Sequence, residues 1–409
     1  MRRLVPILLA LCLLCACAER VYPTDDAYHA ASDCQWALAA SSAVTRFAQA
    51  GDVLYSLIGN HLYATSTETW VTVAVCARPD CDHDRDDPMK EASDCDAFFP
   101  NPTGVFAADG AVWVLHDASH YTNKTHTIVY ERALTRLDPE KGTRRRVLSY
   151  PRSVEFAACI HRGQFYCARA AFDENGGGSV GIYRYSLANP SREPDLLLQL
   201  EPRPGGGGGQ VSSTVAALFA WGNHLYVAAA DEGYHRTWSG IDLRSGEVQC
   251  LPAPAGAEAA DSLLILNGGL LVAGRAAGAY DSGLAQRLDP AGKPVSAAEP
   301  FPYVDAIADD AHLYARAAQA LPDGVVPDLT LYILNGSLAA EDTLAAPAAR
   351  DGRAPVFFDP IPLEGDWVLL ETMYDDGTFV LSRFPKAQIG SGGIESVPFL
   401  THRHGGIQE

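Results

Sequence analysis

Short apolar runs alternate with turn residues along nearly the whole chain. In seven places a turn is followed about four positions later by an aromatic or large apolar residue. These seven copies end at Tyr55, Trp113, Tyr166, Tyr226, Leu271, Tyr314 and Val368, at spacings of 58, 53, 60, 45, 43 and 54 residues. Turns of Gly, Asn and Asp between short runs of alternating polarity are typical of β-hairpins.

A second marker follows each of the last six copies. It is an alternating strand that ends in Leu or Phe before a turn, at Leu137, Leu187, Leu243, Leu288, Leu334 and Phe384. Each unit therefore reads as strand, tight turn, strand, longer loop, strand, tight turn and strand. Four antiparallel strands in a repeat of roughly 40–50 residues indicate a propeller blade. One such sheet cannot bury both faces alone, and stacking the blades around an axis solves this.

The sequence thus predicts an all-β fold, a β-propeller of four-stranded antiparallel blades. Seven blades are expected, with six or eight as alternatives, at about 44–75, 103–150, 153–201, 213–253, 261–300, 302–346 and 355–400. The propeller spans 44–400, after a signal peptide at 1–16 and an N-terminal tether and ring-closing segment at 17–43, and before a C-terminal tail at 401–409. Residues 36–50 are expected to form either a short helix or the strand that closes the ring.

The N-terminus has the pattern of an export signal. Arg2 and Arg3 precede an apolar stretch from Leu4 to Leu14, which is too short to span a bilayer comfortably. It ends in Leu14-Cys15-Ala16-Cys17, which resembles the lipobox of bacterial lipoproteins. The resemblance implies that Cys17 becomes the lipidated, palmitate-bearing first residue, on the extracytoplasmic side of the cell membrane. An ordinary secretory signal and a short buried helix are the alternatives.

The net charge of −19 restricts the partners of the chain. A protein this acidic repels phosphate backbones, so nucleic acid is not expected as a partner. Adhesion to anionic lipid through a basic surface is excluded for the same reason. The membrane is therefore expected as a partner only through the N-terminal lipid.

Residues 76–99 interrupt the repeat with a Cys-rich acidic loop. It contains Cys76, Cys81, His83 and Cys95 within 20 residues. Three thiolates and one imidazole can form a closed tetrahedral shell for zinc, and such a shell can order a loop that has no core. Removing these three cysteines from the seven of the mature ectodomain leaves four, which is an even number.

Other interpretations of this loop stay open. In an oxidising compartment the loop can carry one local disulfide and one to Cys34. Calcium is a further alternative, since acidic residues occupy positions 1, 3, 5, 7 and 12 of an EF-hand-like loop: Asp80, Asp82, Asp84, Asp86 and Glu91. Arg85 at position 6 departs from that pattern, because the sharp turn there requires Gly. The last alternative is a solvated acidic loop without a ligand.

A separate disulfide is expected between Cys159 and Cys167. They flank the turn at Arg162-Gly163 and face each other across a hairpin if the turn holds three residues. With any other loop of similar length they point to opposite faces of the sheet.

The run Cys76-x4-Cys81-x-His83, followed by Cys95-x-Ala97, resembles a signature of uncharacterised bacterial extracytoplasmic lipoproteins. In that group a similar loop, which also contains a Pro at the position of Pro79, follows the first blade of a β-propeller. The resemblance covers the signal, the propeller and this loop. It implies a fold and a location, and it brings no activity with it.

Histidines recur at one position after the turn, in His61, His224 and His312. They are expected to be exposed there, rather than to form a ring that binds a metal. His402 is expected in a disordered tail. No nucleophile elbow and no zinc-protease helix occurs. The predicted function is therefore a lipid-anchored binding or scaffold module for a glycan, peptide or protein. The alternative is an extracytoplasmic polysaccharide lyase or glycoside hydrolase with its site at the channel mouth.

Overall fold

The computed structural model describes residues 20–39, 45–81, 83, 95–122, 127–138, 142–151, 155–172, 178–200, 214–230, 236–275, 283–321, 324–349, 352–403 and 406–408. The predicted signal peptide and Cys17 lie outside this part of the chain. No helix within it is long and apolar enough to cross a membrane.

Seven antiparallel sheets follow one another along the chain and confirm the predicted seven-bladed propeller. Helix is limited to α1 (Trp36–Ala39) and a 3₁₀ turn (Lys386–Gln388) in the described residues. Blade one contains β1 (Phe47–Ala50), β2 (Val53–Ile58), β3 (His61–Ser66) and β4 (Thr72–Ala74).

Blade two contains β5 (Gly104–Ala108), β6 (Ala111–Asp117), a separate hairpin of β7 (His120–Thr122) and β8 (Thr127–Val129), then β9 (Glu131–Asp138) and β10 (Thr143–Pro151). Blade three contains β11 (Glu155–His161), β12 (Gln164–Phe172), β13 (Gly178–Ser186) and β14 (Asp195–Leu200). Blade four contains β15 (Thr214–Trp221), β16 (His224–Ala230), β17 (Arg236–Asp242) and β18 (Val248–Cys250).

Blade five contains β19 (Ser262–Leu266), β20 (Gly269–Arg275), β21 (Gly283–Leu288) and β22 (Glu299–Pro300). Blade six contains β23 (Tyr303–Ala308), β24 (Leu313–Leu321), β25 (Gly324–Leu334) and β26 (Ala340–Ala345). Blade seven contains β27 (Pro355–Pro362), β28 (Trp367–Tyr374), β29 (Thr378–Pro385), β30 (Val397–Arg403) and β31 (Gly406–Gln408).

The turns between first and second strands explain why the sequence signal was strong. In Asp109-Gly110 and Asn267-Gly268 both residues have positive φ, between 53° and 68°. Two successive residues of positive φ form the type I′ turn, whose twist matches that of the flanking strands. Gly adopts this conformation without strain, and Asn and Asp tolerate it better than most residues.

The first strand of each blade lies nearest the axis. First strands of neighbouring blades contact one another, as β1 does with β5, β5 with β11, β11 with β15, β19 with β23 and β23 with β27. Apolar side chains fill the spaces between blades, and the largest cluster joins blades three to six around residues such as Phe219, Trp238 and Leu271. Each fully buried side chain of this size contributes about 1.5–3 kcal/mol.

Among the described residues, no strand is shared between the first and the last blade where the ring closes. β1 pairs with β2 of its own blade, and all strands of blade seven come from Pro355 onwards. The joint is apolar packing, in which Leu54 and Trp70 of blade one meet Leu369 and Leu400 of blade seven. The stretch 36–50 contains both elements that were expected as alternatives, a short helix and a strand. The strand does not complete the last sheet.

The C-terminus differs from the prediction of a tail at 401–409. β30 continues to Arg403, and β31 pairs with it as a fifth strand on blade seven. His402, which was expected to be disordered, is buried and stacks on Phe379 with the two ring centroids 5.0 Å apart.

Candidate metal centre and channel pocket

The loop after blade one brings three thiols and one imidazole together. One ligand atom from each of Cys76, Cys81, His83 and Cys95 lies within 4.8 Å of all the others. The Cys95 Sγ and His83 Nδ1 atoms are 3.6 Å apart. Zinc bonds of about 2.3 Å to sulfur and about 2.0 Å to nitrogen place tetrahedral ligand atoms about 3.5–3.8 Å from one another. The cluster therefore has the composition and the approximate spacing of a closed tetrahedral site.

Neighbouring strands hold this cluster at the joint between blades one and two. Cys76 follows β4, and Cys95 lies shortly before β5. The Cys76 thiol donates a hydrogen bond to the Asp96 carboxylate at 3.9 Å. Arg144 of blade two donates to the Asp96 carbonyl at 2.6 Å and lies over the Phe99 ring at 4.2 Å. An interblade contact thus positions the residue next to a candidate ligand.

The three thiols differ in how readily they ionise. Burial alone would raise the pKa of the Cys76 thiol, but hydrogen bonds from the backbone N–H groups of Arg78 and Asp96 lower it below its usual value. Burial raises the pKa of Cys95 to about 12 and also raises that of Cys81. Three thiolates at neutral pH therefore require a bound cation, which is the usual condition of a metal-thiolate site.

The calcium alternative is not tested by the described residues. Only Asp80 of its five predicted ligands is among them, and Asp82, Asp84, Asp86 and Glu91 lie outside. Among the residues that the structure does describe, the Cys and His cluster is the only group of three or more Cys, His, Asp or Glu side chains whose ligand atoms converge on one point.

The register of β11 and β12 corrects the predicted disulfide. The turn between these strands holds two residues, so Cys159 and Cys167 are one position out of register. Their side chains therefore point to opposite faces of the sheet. Cys159 packs in the core shared with blade four, whereas Cys167 packs in the cluster shared with blade two. Cys34 does not lie near the loop either, because it packs in the core of blades three to six, whereas Cys76, Cys81 and Cys95 converge on His83.

The recurring histidines are more buried than the sequence suggested. His61 and His224 have 1% and 7% of their surface exposed, and each ring packs on an aromatic side chain. His312 contacts Asp309, with its Nδ1 atom 3.7 Å from a carboxylate oxygen. They occupy blades one, four and six, and they do not converge on a metal position.

An N-terminal strap, residues 20–35, crosses the face that carries the first turns of blades two, three and four. Tyr22 donates to Asp109 at 2.9 Å. Arg162 donates to both carboxylate oxygens of Asp33, each at 2.9 Å, and both side chains are buried. The side-chain amide of Asn223 donates to two strap carbonyls at 2.8 and 2.9 Å. In each of these three blades, one residue of the first turn therefore binds the strap.

Helix α1 follows the strap and lies across the channel. It contacts β15 of blade four and β27 of blade seven, which stand on opposite sides of a seven-membered ring. Trp36 packs in the cluster of blades three to six, and Leu38 packs in the cluster of blades seven and one. The channel is thus filled by α1 on the side of the strap.

A cavity of about 320 Å³ adjoins α1 inside the channel. Its walls come from blades six, seven and one, and its polar and aromatic lining residues are Arg46, Phe47, Asp305, Tyr314, Arg316, Phe357, Asp359 and Glu371. Arg46 immediately precedes β1, at the end of the inner strands opposite the first turns. We refer to this cavity as the channel pocket.

Ion pairs organise the channel pocket. Arg46 donates to both oxygens of Glu371, one of them at 2.9 Å. One guanidinium nitrogen of Arg316 contacts Asp305 and also Asp359, the latter at 2.8 Å. The side chains of Arg316 and Glu371 are 7% and 1% exposed, whereas those of Arg46, Asp305 and Asp359 are 41%, 49% and 37% exposed. The pocket therefore offers both donors and acceptors to a ligand.

Burial shifts the carboxyl groups of the pocket in different directions. It raises the pKa of Asp359 to about 6, although Arg316 beside it acts in the opposite sense. Burial would also raise the pKa of Glu371, but hydrogen bonds from His402 and Arg46 lower it. Two carboxyl groups in one pocket thus differ in their affinity for a proton, which is common at functional sites.

Sequence reasoning missed the channel pocket and the role of Arg162. The pocket residues come from three blades that are far apart in the chain, and no local spacing links them. Arg162 occupies a turn position with a φ of 46°, where Gly, Asn or Asp is usual. An Arg at a position that disfavours a side chain is a signal that could have drawn attention to it.

No family model matches the chain, and no curated protein matches it in sequence. Solved structures share the fold. A prolyl endopeptidase structure aligns over 88% of this chain and 51% of its own with a TM-score of 0.54 and 11% identity. This chain therefore spans about half the length of that peptidase.

Two further structures align at 12% identity. A putative 6-phosphogluconolactonase from Bacteroides uniformis has a TM-score of 0.49 and is covered to 99%, with 86% of this chain aligned. An oligogalacturonate lyase in complex with manganese has a TM-score of 0.46, with 78% of this chain and 81% of the lyase aligned. Neither likeness says anything about the activity of this chain, and the fold is shown by the seven sheets themselves.

Proposed function

We propose that this protein is a lipid-anchored β-propeller on the extracytoplasmic side of the cell membrane, and that it binds a glycan in the channel pocket. The observation that supports this most directly is the pocket. Charged and aromatic side chains from three blades converge there, while α1 lies across another part of the channel. A pocket of about 320 Å³ lies at the lower end of the usual range for small-molecule sites, about 300–1,000 Å³.

The chemistry of the pocket favours a ligand rich in hydroxyl groups. Its carboxylates only accept hydrogen bonds and its guanidinium groups only donate them, and the two kinds are already paired. A simple cation or anion would compete with one partner of each pair. A hydroxyl group both donates and accepts, so it can bridge Asp305 and Arg316 without leaving either unpaired. Phe47 and Phe357 supply apolar surface for the carbon face of a sugar ring.

An oligosaccharide array tests this proposal, with calorimetry on whichever sugars bind. Asp305→Asn is expected to weaken binding about 10- to 100-fold, because one hydrogen bond to a charged group is worth about 1.5–3 kcal/mol. Asp366→Asn, on the exposed first turn of blade seven, is the matched control and should bind like the wild type. Absence of binding to any oligosaccharide, or binding unchanged in Asp305→Asn, would contradict a glycan site in this pocket.

The lipid anchor agrees with the position of the strap. Arg20, three positions after Cys17, is held by Asp109 with a nitrogen–oxygen distance of 2.8 Å, on the face of the first turns. That face would then lie nearest the membrane. Growth with labelled palmitate should label the wild type, and Cys17→Ser should lose the label. An unlabelled wild type would refute the anchor and leave the glycan test unaffected.

We further propose that Cys76, Cys81, His83 and Cys95 bind zinc, which would fix the loop between blades one and two. The supporting observation is that one ligand atom from each of the four side chains lies within 4.8 Å of all the others. Native mass spectrometry and elemental analysis should give one zinc per chain. Cys81→Ser should lower this content, while Cys250→Ser, which changes an exposed thiol outside the cluster, should not. Calcium without zinc, or disulfides among the three cysteines, would contradict the proposal.

Glycoside hydrolysis is the second candidate function, because Asp305 and Asp359 share one guanidinium nitrogen and Asp359 has a raised pKa. A pair of carboxyl groups, one of them protonated, is the usual apparatus of glycosidases. Asp359 would donate a proton to the glycosidic oxygen, and Asp305 would act as the nucleophile or activate water. Release of reducing ends from a bound oligosaccharide, lost in Asp359→Asn, would establish the enzyme. Binding of an oligosaccharide without release of reducing ends would contradict the hydrolase and support the binding module.

A further inference from the structure

Two cysteines outside the metal cluster lie side by side in the core. Cys34 belongs to the strap and Cys159 to β11, the inner strand of blade three. They have 4% and 0% of their surface exposed, and both belong to the apolar cluster of blades three to six. Nothing in the pattern of the sequence linked them, since 125 positions separate them.

The geometry brings their side chains to the same place. The backbone N–H of Cys34 donates to the Nδ1 atom of His161 at 3.0 Å. His161 is two positions beyond Cys159 in one strand, so their side chains lie on the same face of the sheet. The face that receives Cys34 is therefore the face that carries the Cys159 thiol. Burial raises the pKa of the Cys159 thiol well above its usual value, and the adjacent Cys34 side chain raises it further.

The remaining cysteines of the ectodomain are placed differently. Cys167 is buried on the opposite face of blade three, and Cys250 is exposed at the end of β18. Cys76, Cys81 and Cys95 converge on His83. Within the described residues, Cys34 and Cys159 are the pair outside the metal cluster that is placed to react.

We propose that Cys34 and Cys159 form a disulfide that fixes the strap and helix α1 to blade three. Formation removes two electrons and two protons from the thiols. The oxidant is a disulfide, either of an extracytoplasmic thiol–disulfide oxidoreductase or of a small thiol such as glutathione. One cysteine thiolate attacks it and releases a first thiol, and the second cysteine then displaces the other thiol from the mixed disulfide. In a cell, formation rests on the proposed location, because disulfides persist in oxidising compartments.

Refolding the purified chain from residue 18 tests the chemistry independently of location. It is carried out in a buffer of oxidised and reduced glutathione, and in parallel with dithiothreitol. After denaturation, alkylation of free thiols and proteolysis, the glutathione sample should yield a peptide pair joined through Cys34 and Cys159. Free thiols at both positions in the glutathione sample, or a different pairing, would overturn the proposal.

The same peptide mapping on protein exported by cells tests formation in vivo. A Cys34–Cys159 bridge there supports the proposal. A bridge in the glutathione buffer with reduced thiols in exported protein would overturn the disulfide as a feature of the cellular protein. Neither result depends on glycan binding, so failure of this proposal is distinguishable from failure of the proposed function.

Proteolysis of the strap measures what the bridge does. Protein refolded with glutathione should be cut in the strap at least about tenfold more slowly than protein refolded with dithiothreitol, given the usual stabilisation by a disulfide across a long loop. Cys34→Ala should show the same rate under both conditions. Cys167→Ala removes a buried thiol on the other face and should keep the difference. Equal rates for wild type under both conditions would show that no bridge holds the strap.

Discussion

Arg162 connects the strap to blade three, and its replacement by Ala should destabilise the protein strongly. Its guanidinium group bonds both oxygens of Asp33, which is fully buried. It also donates to the strap carbonyls of Pro23, Asp25 and Ala27 at distances between 2.8 and 3.0 Å. Arg162→Ala therefore leaves one carboxylate and three carbonyl groups without this donor.

The magnitude follows mainly from the carboxylate. Removing one partner of a buried ion pair costs about 3–5 kcal/mol, because the remaining charge stays buried without its counter-ion. Each carbonyl that is not reached by water adds about 1 kcal/mol. The strained backbone does not offset this, since Ala at a φ of 46° keeps the left-handed conformation of Arg162. We expect a loss of about 3–5 kcal/mol or more in the free energy of unfolding.

Urea denaturation of the two variants and their combination measures this effect. Arg162→Ala and Asp33→Ala should each be strongly destabilising. The double variant should be less destabilised than the two losses combined, because no lone charge remains buried. Arg145→Ala, at an exposed position of β10, is the matched control and should stay within about 0.5 kcal/mol of the wild type. A loss below about 1 kcal/mol for Arg162→Ala would refute the argument that this pair fixes the strap.

Three further predictions concern pH and packing. Burial lowers the pKa of His161 to about 4, so the folded state holds this ring neutral. The contribution of the neutral ring to the free energy of unfolding is complete above the unfolded pKa of about 6.5 and is lost as pH falls towards 4. Urea titrations at pH 7 and pH 5 should show this loss of stability, and His161→Gln should reduce the difference between the two pH values. Leu369→Ala, at the joint of blades seven and one, should cost about 2–5 kcal/mol by denaturation, and a cost below that range would show that packing of blade one against blade seven contributes little. Gly274→Ala should lower the melting temperature, because a Cβ there would meet the Ala259 carbonyl oxygen at 1.9 Å, whereas Gly393→Ala meets nothing within 4 Å and should leave it unchanged.

The blades were predictable because their signals are local. A hairpin turn and the two strands beside it lie within about 20 residues, and the required φ values select Gly, Asn or Asp at the turn. The first blade lacks the second marker, and its strands are short and close together. Pairing of β1 with β2 and of β2 with β3 shows that the same rules apply there.

The ligand atoms of the Cys and His cluster were predictable for the same reason, since a loop of 20 residues brought them together. The channel pocket was not, because Arg46 and Glu371 are 325 positions apart and only the closed ring makes them neighbours. The Cys159–Cys167 pairing failed on one residue of turn length, which reverses the face of every side chain beyond the turn. Pairwise geometry between distant segments depends on the assembled ring, and no local pattern encodes it.

Because the sheet of each blade comes from one continuous segment of the chain, each blade can complete its hydrogen bonding as soon as about 50 residues have emerged from a ribosome or a translocation pore. Most contacts are then made between near neighbours in the chain, which favours rapid folding. The contacts that join blade seven to blade one, such as the packing of Leu369 and Leu400 and the ion pair of Arg46 with Glu371, must wait for the whole polypeptide. The same architecture allows a gene to gain or lose one blade by duplication or deletion of a single segment, while the last blade still packs against the first through apolar side chains.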